Sequence, residues 1–266
     1  MKIKFVLTSR DIFVVLVCIA FLLLNLGAID RIGRRRAKEM VCLSNLRQWG
    51  TMFEMFTNDN EGYFNRGWDI GEEGLWMKAL RPYYKDIWHL LICPEATNVN
   101  DWGAFRAWQR NVNLPEGGEY RYVSSYGINS WTNNMTNDRD SRREEWFWKN
   151  VRSVKEKQNI PVFLDSAWHD AWPSHTDSPP QYDGMPANGG INGMRHFSLN
   201  RHNGGVNSLF MDWSTRKIGL KELWTLKWHR NFDTAGPWTR AGGVIMWDWP
   251  EWMRSCLLYT SPSPRD

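Results

Sequence analysis

The feature that most constrains this chain is a long apolar run near its amino terminus, from Ile12 to Ile29. A helix over these residues would measure about 27 Å at about 1.5 Å per residue, close to the roughly 30 Å hydrocarbon core of a bilayer. A basic segment, residues 31–38, follows at once, and no small-x-small cleavage site precedes it. We therefore predict a retained membrane span at 12–29 and not a cleaved secretory signal.

A second helical pattern continues beyond the basic segment. Its apolar residues recur at the spacing of one helix face: Leu43, Leu46, Trp49, Phe53 and Phe56. The two patterns together predict one helix over residues 11–57, preceded by a short cytoplasmic leader at 1–10. The turn residues at 58–62 would end the helix.

The rest of the chain, residues 58–254, is predicted to form one α+β globular domain. A small antiparallel sheet would pack on the long helix, with loop-rich insertions between its strands. Strand patterns are present in these segments: 120–128, 160–164, 195–202, 206–211 and 215–220. The last three would form a β-meander, with Asn203 and Gly204 supplying the positive φ angles of its first tight turn.

Composition narrows the function in two ways. The net charge is only +4, and much of the positive charge lies beside the apolar run, which excludes the concentrated basic face of a nucleic-acid-binding protein. Eighteen tryptophans are unusual, and many stand among glycine, proline and asparagine. They favour either aromatic burial that holds loops onto a small sheet or an exposed surface that stacks against sugars.

The hairpin region carries a motif, Arg201-His-Asn-Gly-Gly-Val-Asn-Ser-Leu-Phe-Met-Asp-Trp213, in which nine residues separate His202 from Asp212. This resembles the His-x9-Asp-Gly element of the pilin-like, prepilin-type processing-associated family, with Trp213 in place of the glycine. Three further segments are similar to recurrent pieces of the same family: residues 42–48, 93–94 and 125–129. The resemblance covers most of residues 10–220.

The resemblance implies the topology of a type IV pilin or a type II secretion pseudopilin. The chain would cross the inner membrane once, export its globular domain, and assemble with its own copies or with other pilin-like subunits. In such assemblies an acidic residue at the membrane boundary meets the amino terminus of a neighbour, and Asp11 stands at that position. Residues 6–11 lack the glycine of the family's processing site, which leaves cleavage open. The positive-inside rule by itself would hold the domain in the cytoplasm.

An exported domain would lie in an oxidising compartment, where cysteines can form disulfides. Cys18 lies in the apolar run and Cys256 in the final segment, which leaves Cys42 and Cys93 as a candidate disulfide in an oxidising compartment. Two unrelated free thiols are the other interpretation. Residues 255–266 differ in texture from the preceding chain and are expected to be a non-native, adapter-derived tail.

No residue pattern predicts catalysis. His202 with Asp212, and a second group in a proline-rich loop (Asp165, His169, Asp170, His175 and Asp177), lack the spacing of a metal site or a nucleophile motif. We expect structural roles for both groups: Asp212 would cap a turn, and His202 would bind a nearby carboxylate or carbonyl. We expect no catalytic residue, no metal and no cofactor.

The sequence thus predicts a non-enzymatic, membrane-anchored pilin-like subunit of a secretion or surface apparatus. The alternative is a membrane-tethered glycan-binding protein that uses exposed tryptophans, and an envelope hydrolase is a more distant third.

Overall fold

The computed structural model describes residues 8–84, 88–113, 117–136, 144–186 and 192–256, apart from the side chains of 22–31. The chain divides into two compact units, residues 1–38 and 39–266. Residues 1–7 of the predicted leader and 257–266 of the predicted tail lie outside the described residues.

Helix α1, Ser9–Asp59, begins in the first unit and contains the whole predicted helix 11–57. Thr8 and Asp11 form a capping box at its start: the Asp11 carboxylate accepts from the Thr8 backbone amide at 2.8 Å, and the Asp11 amide donates to the Thr8 hydroxyl at 3.3 Å. Large apolar side chains are exposed from Ile12 to Phe21. Among the described residues, no helix combines the length and the hydropathy needed to cross a membrane.

In the second unit, the later turns of α1 contribute to the hydrophobic core. Leu46, Trp49 and Phe53 are fully buried, as expected for one apolar face. The Trp49 ring contacts the rings of Trp76 and Phe163, with centroids 5.3 and 5.1 Å away. These contacts attach the helix to the sheet.

The strands of the second unit form two sheets. A hairpin joins β1, Trp108–Asn113, to β2, Glu119–Ser124. The main sheet has the order β5-β3-β4-β6-β7, with these strands: β3 Tyr126–Asn129, β4 Pro161–Asp165, β5 Asp170–Ala171, β6 Gly205–Phe210 and β7 Thr215–Gly219. All its neighbours are antiparallel except β3 and β5. The fold class is therefore α+β with mainly antiparallel sheets, as predicted.

Short helices connect the strands. Three are α-helical: α2 Trp76–Ala79, α3 Arg81–Tyr84 and α4 Glu251–Arg254. Nine are 3-10 turns among the described residues: Gly67–Gly74, Trp88–Leu91, Ser130–Thr132, Glu144–Trp146, Val151–Ser153, Lys157–Asn159, Gly193–His196, Leu220–Thr225 and Met246–Asp248.

The predicted strand at 195–202 is wrong, and with it the three-stranded meander. Residues Gly193–His196 form a 3-10 helix, and Phe197 and Ser198 both donate backbone hydrogen bonds to the carbonyl of Met194. The physical reason is that β6 is already paired on both sides, with β4 and β7, so it has no free side on which this segment could add a strand. Asn203 and Gly204 do adopt positive φ angles, 48° and 85°, but they turn an irregular segment into β6.

The tryptophans are mostly buried or half-buried. Among the described residues only Trp102, 42% exposed, and Trp247, 67% exposed, are substantially exposed to solvent. Several indole nitrogens donate to loop carbonyls; Trp131, for example, reaches Pro173 at 2.9 Å. The tryptophans therefore hold loops onto the core, which is the first of the two interpretations of the composition.

Candidate functional site

Four side chains of the second unit converge in its core. Cys42 comes from α1, Cys93 follows the 3-10 helix Trp88–Leu91, Asp165 ends β4, and His202 lies in the turn before β6. One ligand atom from each lies within 4.8 Å of all the others. None of the four residues is more than 3% exposed. We call this group the Cys/Asp/His cluster.

Asp165 lies at the centre of the cluster. One carboxylate oxygen, Oδ1, pairs with Arg201 Nη1 at 3.0 Å. The other, Oδ2, lies 3.1 Å from His202 Nε2 and accepts from the Asn207 backbone amide at 2.8 Å. Burial by itself would raise the pKa of Asp165, but the charges of His202 and Arg201 and these hydrogen bonds hold it well below its usual value. The carboxyl is therefore ionised.

Arg201 ties the cluster to two other segments of the chain. Its guanidinium is buried and donates to the carbonyls of Ala104 at 2.9 Å, Ser125 at 2.7 Å and Arg106 at 2.7 Å. Together with the Asp165 ion pair, these bonds satisfy all three guanidinium nitrogens. Arg201 is thus a buried cation that joins the loop before β1, the junction before β3 and the end of β4.

The two thiols have different surroundings. The Cys42 thiol lies 3.6 Å from Asp165 Oδ2 and accepts from the Tyr126 hydroxyl at 3.3 Å. Burial, above all, raises the pKa of Cys42. Cys93 Sγ lies 3.4 Å from His202 Nε2. Burial opposes ionisation of Cys93 too, but hydrogen bonds from Cys42 and His202 lower its pKa to about 7.

The pKa of His202 is shifted upward. Burial disfavours the charged imidazole, but the adjacent Asp165 carboxylate outweighs it and raises the pKa of His202 to about 10. The shift favours the imidazolium form of His202, paired with the Asp165 carboxylate. The expectation that His202 binds a nearby carboxylate is met by this contact.

The structure separates the two ends of the His-x9-Asp motif. Asp212 is exposed and caps the turn between β6 and β7, where its Oδ1 accepts from the Ser214 amide at 3.0 Å and the Ser214 hydroxyl at 2.6 Å. Trp213, which stands where the family has glycine, adopts a positive φ of 66° in this turn. His202 instead contacts Asp165 and Cys93 in the core.

The structure also separates the members of the second group, the acids and histidines in the proline-rich loop. Only Asp165 joins the cluster. His169 and Asp170 form their own buried pair at 2.9 Å. The carboxylate of Asp177 accepts from the amides of Ser174 and Met194, at 3.0 and 2.9 Å, and so caps a loop.

Cys42 and Cys93 are brought together, as the disulfide prediction requires, but both are free thiols in this structure. The disulfide stays a prediction. Sequence reasoning missed the roles of Asp165 and Arg201. The available signals were a carboxylate that ends a continuous apolar strand and an arginine directly before His202.

Chemically, the cluster can hold a cation or lock the core, and its four side chains are almost wholly buried among the described residues. Comparisons with family models, with curated proteins and with solved structures find no match for this chain.

Proposed function

We propose that this chain is a non-enzymatic, membrane-anchored subunit of the pilin or pseudopilin kind, which assembles with its own copies or with related subunits. The observation that carries the proposal is α1. Residues Ser9–Asp59 form one helix that is apolar and exposed near its start and is part of the globular core near its end. In a pilin-like subunit, the first part of such a helix serves anchoring and assembly, and the last part belongs to the core of the globular domain.

The exposed part of α1 supports the anchoring role. Eight large apolar side chains between Ile12 and Phe21 are each about half exposed or more: Ile12, Phe13, Val14, Val15, Leu16, Val17, Ile19 and Phe21. They occupy nearly consecutive positions and so surround the helix. A helix that is apolar on all sides is stable only in lipid or among other helices, because water disfavours so large an apolar surface.

The interior of the globular unit supports a structural role. The Cys/Asp/His cluster and Arg201 form a group of ionisable side chains that is buried in this unit. The group connects α1, β4 and the turn before β6. Each polar group there has a partner within the protein. Such a cluster stabilises the globular unit, as expected for a subunit whose role is structural.

The glycan-binding alternative draws on exposed tryptophan rings, and these are few. The guanidinium of Arg106 already lies 3.5 Å from the centroid of the Trp102 ring. The Trp247 ring, the other exposed indole among the described residues, lies 5.3 Å from the Arg254 guanidinium, and two rings that each carry an arginine make a weak sugar platform. The pilin-like role therefore has more support.

Self-association through α1 is expected to depend on the charge of Asp11. Cys18 is exposed on the same helix and can report contact between copies by oxidative cross-linking in membranes. We expect the full chain to give a dimer linked through Cys18, and Asp11→Asn to reduce it severalfold. The substitution removes the negative charge that would meet a neighbour's amino terminus, but keeps an oxygen that can accept from Thr8.

Two controls separate assembly from helix capping. Thr8→Ala removes the hydroxyl partner of Asp11 and keeps the charge, so its dimer should persist. Cys18→Ser combined with Cys256→Ser should give no dimer, since the remaining thiols, Cys42 and Cys93, are buried. A dimer that is equally abundant in Asp11→Asn would contradict the role of the charge, and a wild-type chain that yields none would contradict self-association through this face.

A further inference from the structure

We propose that the Cys/Asp/His cluster is a structural zinc site, with Cys42, Cys93, Asp165 and His202 as the four ligands. Sequence reasoning expected no metal, because the ligands come from four separate segments and show no ligand spacing. The inference goes beyond the proposed function, because it concerns the globular unit alone and does not depend on anchoring or assembly.

The spacing of the four ligand atoms fits a zinc ion. In a tetrahedral zinc site, bonds of about 2.3 Å to sulfur and about 2.0–2.1 Å to nitrogen and oxygen place neighbouring ligand atoms roughly 3.3–3.8 Å apart. Here Cys42 Sγ lies 3.6 Å from Asp165 Oδ2, and Cys93 Sγ lies 3.4 Å from His202 Nε2. His202 Nε2 and Asp165 Oδ2 are 3.1 Å apart. The remaining pairs lie within 4.8 Å, so shifts of well under 1 Å in each side chain would close the site.

The chemical types of the four ligand atoms favour zinc over other divalent cations. Two thiolates with one imidazole and one carboxylate combine soft and borderline ligands, a combination that suits Zn²⁺ and not Mg²⁺ or Ca²⁺, which prefer oxygen. Four protein ligands leave no open position for water. A closed site of this kind is structural, in agreement with its burial in the core.

The charges of the cluster would balance around a zinc ion. Two thiolates and the Asp165 carboxylate supply three negative charges, which Zn²⁺ and the Arg201 guanidinium balance. A neutral buried cluster avoids the large cost of an uncompensated ion in the core. Zinc binding would displace the protons that His202 and the two thiols otherwise hold, so uptake of the metal releases protons.

The surroundings also fit a metal site. Ligands of a bound metal are oriented by hydrogen bonds from a second layer of residues. Arg201 donates to Asp165 Oδ1, the Asn207 amide donates to Oδ2, and the Tyr126 hydroxyl donates to Cys42 Sγ. Each donor would hold a ligand in place and stabilise its negative charge.

A disulfide between Cys42 and Cys93 is the competing state, because it consumes both thiolates. The test uses the full chain purified in detergent without added chelator. Metal analysis should find stoichiometric zinc, and alkylation under denaturing conditions without a reductant should label both cysteines. Exchange of the zinc for cobalt(II) should give the thiolate charge-transfer and intense visible bands of a tetrahedral cobalt site, a result that needs no variant.

Matched serine variants assign the ligands. Cys93→Ser and Cys42→Ser should lose most of the zinc and the charge-transfer bands, whereas Cys18→Ser and Cys256→Ser should keep both. If the ligand variants fail to fold, the stoichiometry and the cobalt spectrum of the wild-type chain still decide. A Cys42–Cys93 disulfide in the purified chain, or reduced thiols that take up neither zinc nor cobalt, would overturn the proposal.

Discussion

Replacing Arg201 with methionine is expected to reduce the free energy of unfolding of the globular unit by about 3–5 kcal/mol, the cost of breaking a buried ion pair on one side. The substitution leaves the ionised Asp165 carboxylate buried beside His202 and removes hydrogen bonds to three carbonyl oxygens. Because domains are stable by only about 5–15 kcal/mol, the variant should be close to unfolding. Denaturant titration of the full chain in detergent, followed by tryptophan fluorescence, measures the loss.

Two comparisons isolate the cause. Lys149→Met breaks a solvent-exposed pair with Glu144 and should cost at most about 1 kcal/mol. Adding Asp165→Asn to Arg201→Met should cost less than the sum of the two single changes, because the second substitution removes the charge that the first leaves unpaired. Strictly additive effects, or a loss in Arg201→Met no larger than in Lys149→Met, would contradict the role assigned to this pair.

Trp49→Ala is expected to have an effect of similar size, about 3–5 kcal/mol, since it removes a fully buried aromatic side chain and leaves a cavity. The indole of Trp49 packs between Trp76, Tyr84 and Phe163, with ring centroids 5.1–5.3 Å away, and donates to the Leu90 carbonyl at 2.8 Å. Through Phe163 of β4 it connects α1 with the sheet. The same denaturant titration measures the change.

The matched control is Trp247→Ala, which truncates the same residue type where 67% of it is exposed. Substitutions at such surface positions usually change stability by less than about 0.5 kcal/mol. Trp49→Phe should lie between the two, because it keeps an apolar ring and loses the hydrogen bond to Leu90. If Trp49→Ala and Trp247→Ala were equally mild, α1 would not be part of the core.

Elements with a strong local signal could be predicted from the sequence. The apolar spacing of Leu46, Trp49 and Phe53 requires a helix with one buried face, and the structure has it. The continuous apolar segment at 160–164 predicted a buried strand, and β4 spans Pro161–Asp165. In both cases the residues that determine the element lie within it.

The strand prediction for residues 195–202 is wrong because the conformation of this segment depends on residues far away in the chain. Its alternation of polar and apolar residues is typical of a strand, but β4 and β7 occupy both edges of β6. Local periodicity carries no information about which sheet edges are free. The chain therefore turns through a 3-10 helix and buries Phe197 and Leu199 in the core.

The candidate site was predictable only in part, for the same reason. Cys42 and Cys93 were paired by elimination, and His202 was identified through a motif. Asp165 lies 123 residues from Cys42, and no motif connects them. The pairing of β4 with β6 is what carries Asp165 to the turn that holds His202. Sequence spacing alone could not show that one carboxylate serves the histidine, the arginine and a thiol.

Carbonate extraction of bacterial membranes that contain the full chain tests most directly whether the start of α1 holds the chain in a membrane. We predict that the wild-type chain resists extraction. Leu16→Arg combined with Ile19→Arg should release it, since each arginine near the middle of a span costs about 2.5–3.5 kcal/mol. Met40→Arg with Val41→Arg alters two exposed apolar residues of the same helix outside 12–29 and should leave the chain in the membrane. A wild-type chain that carbonate extracts completely, or equal retention of both double variants, would contradict the account.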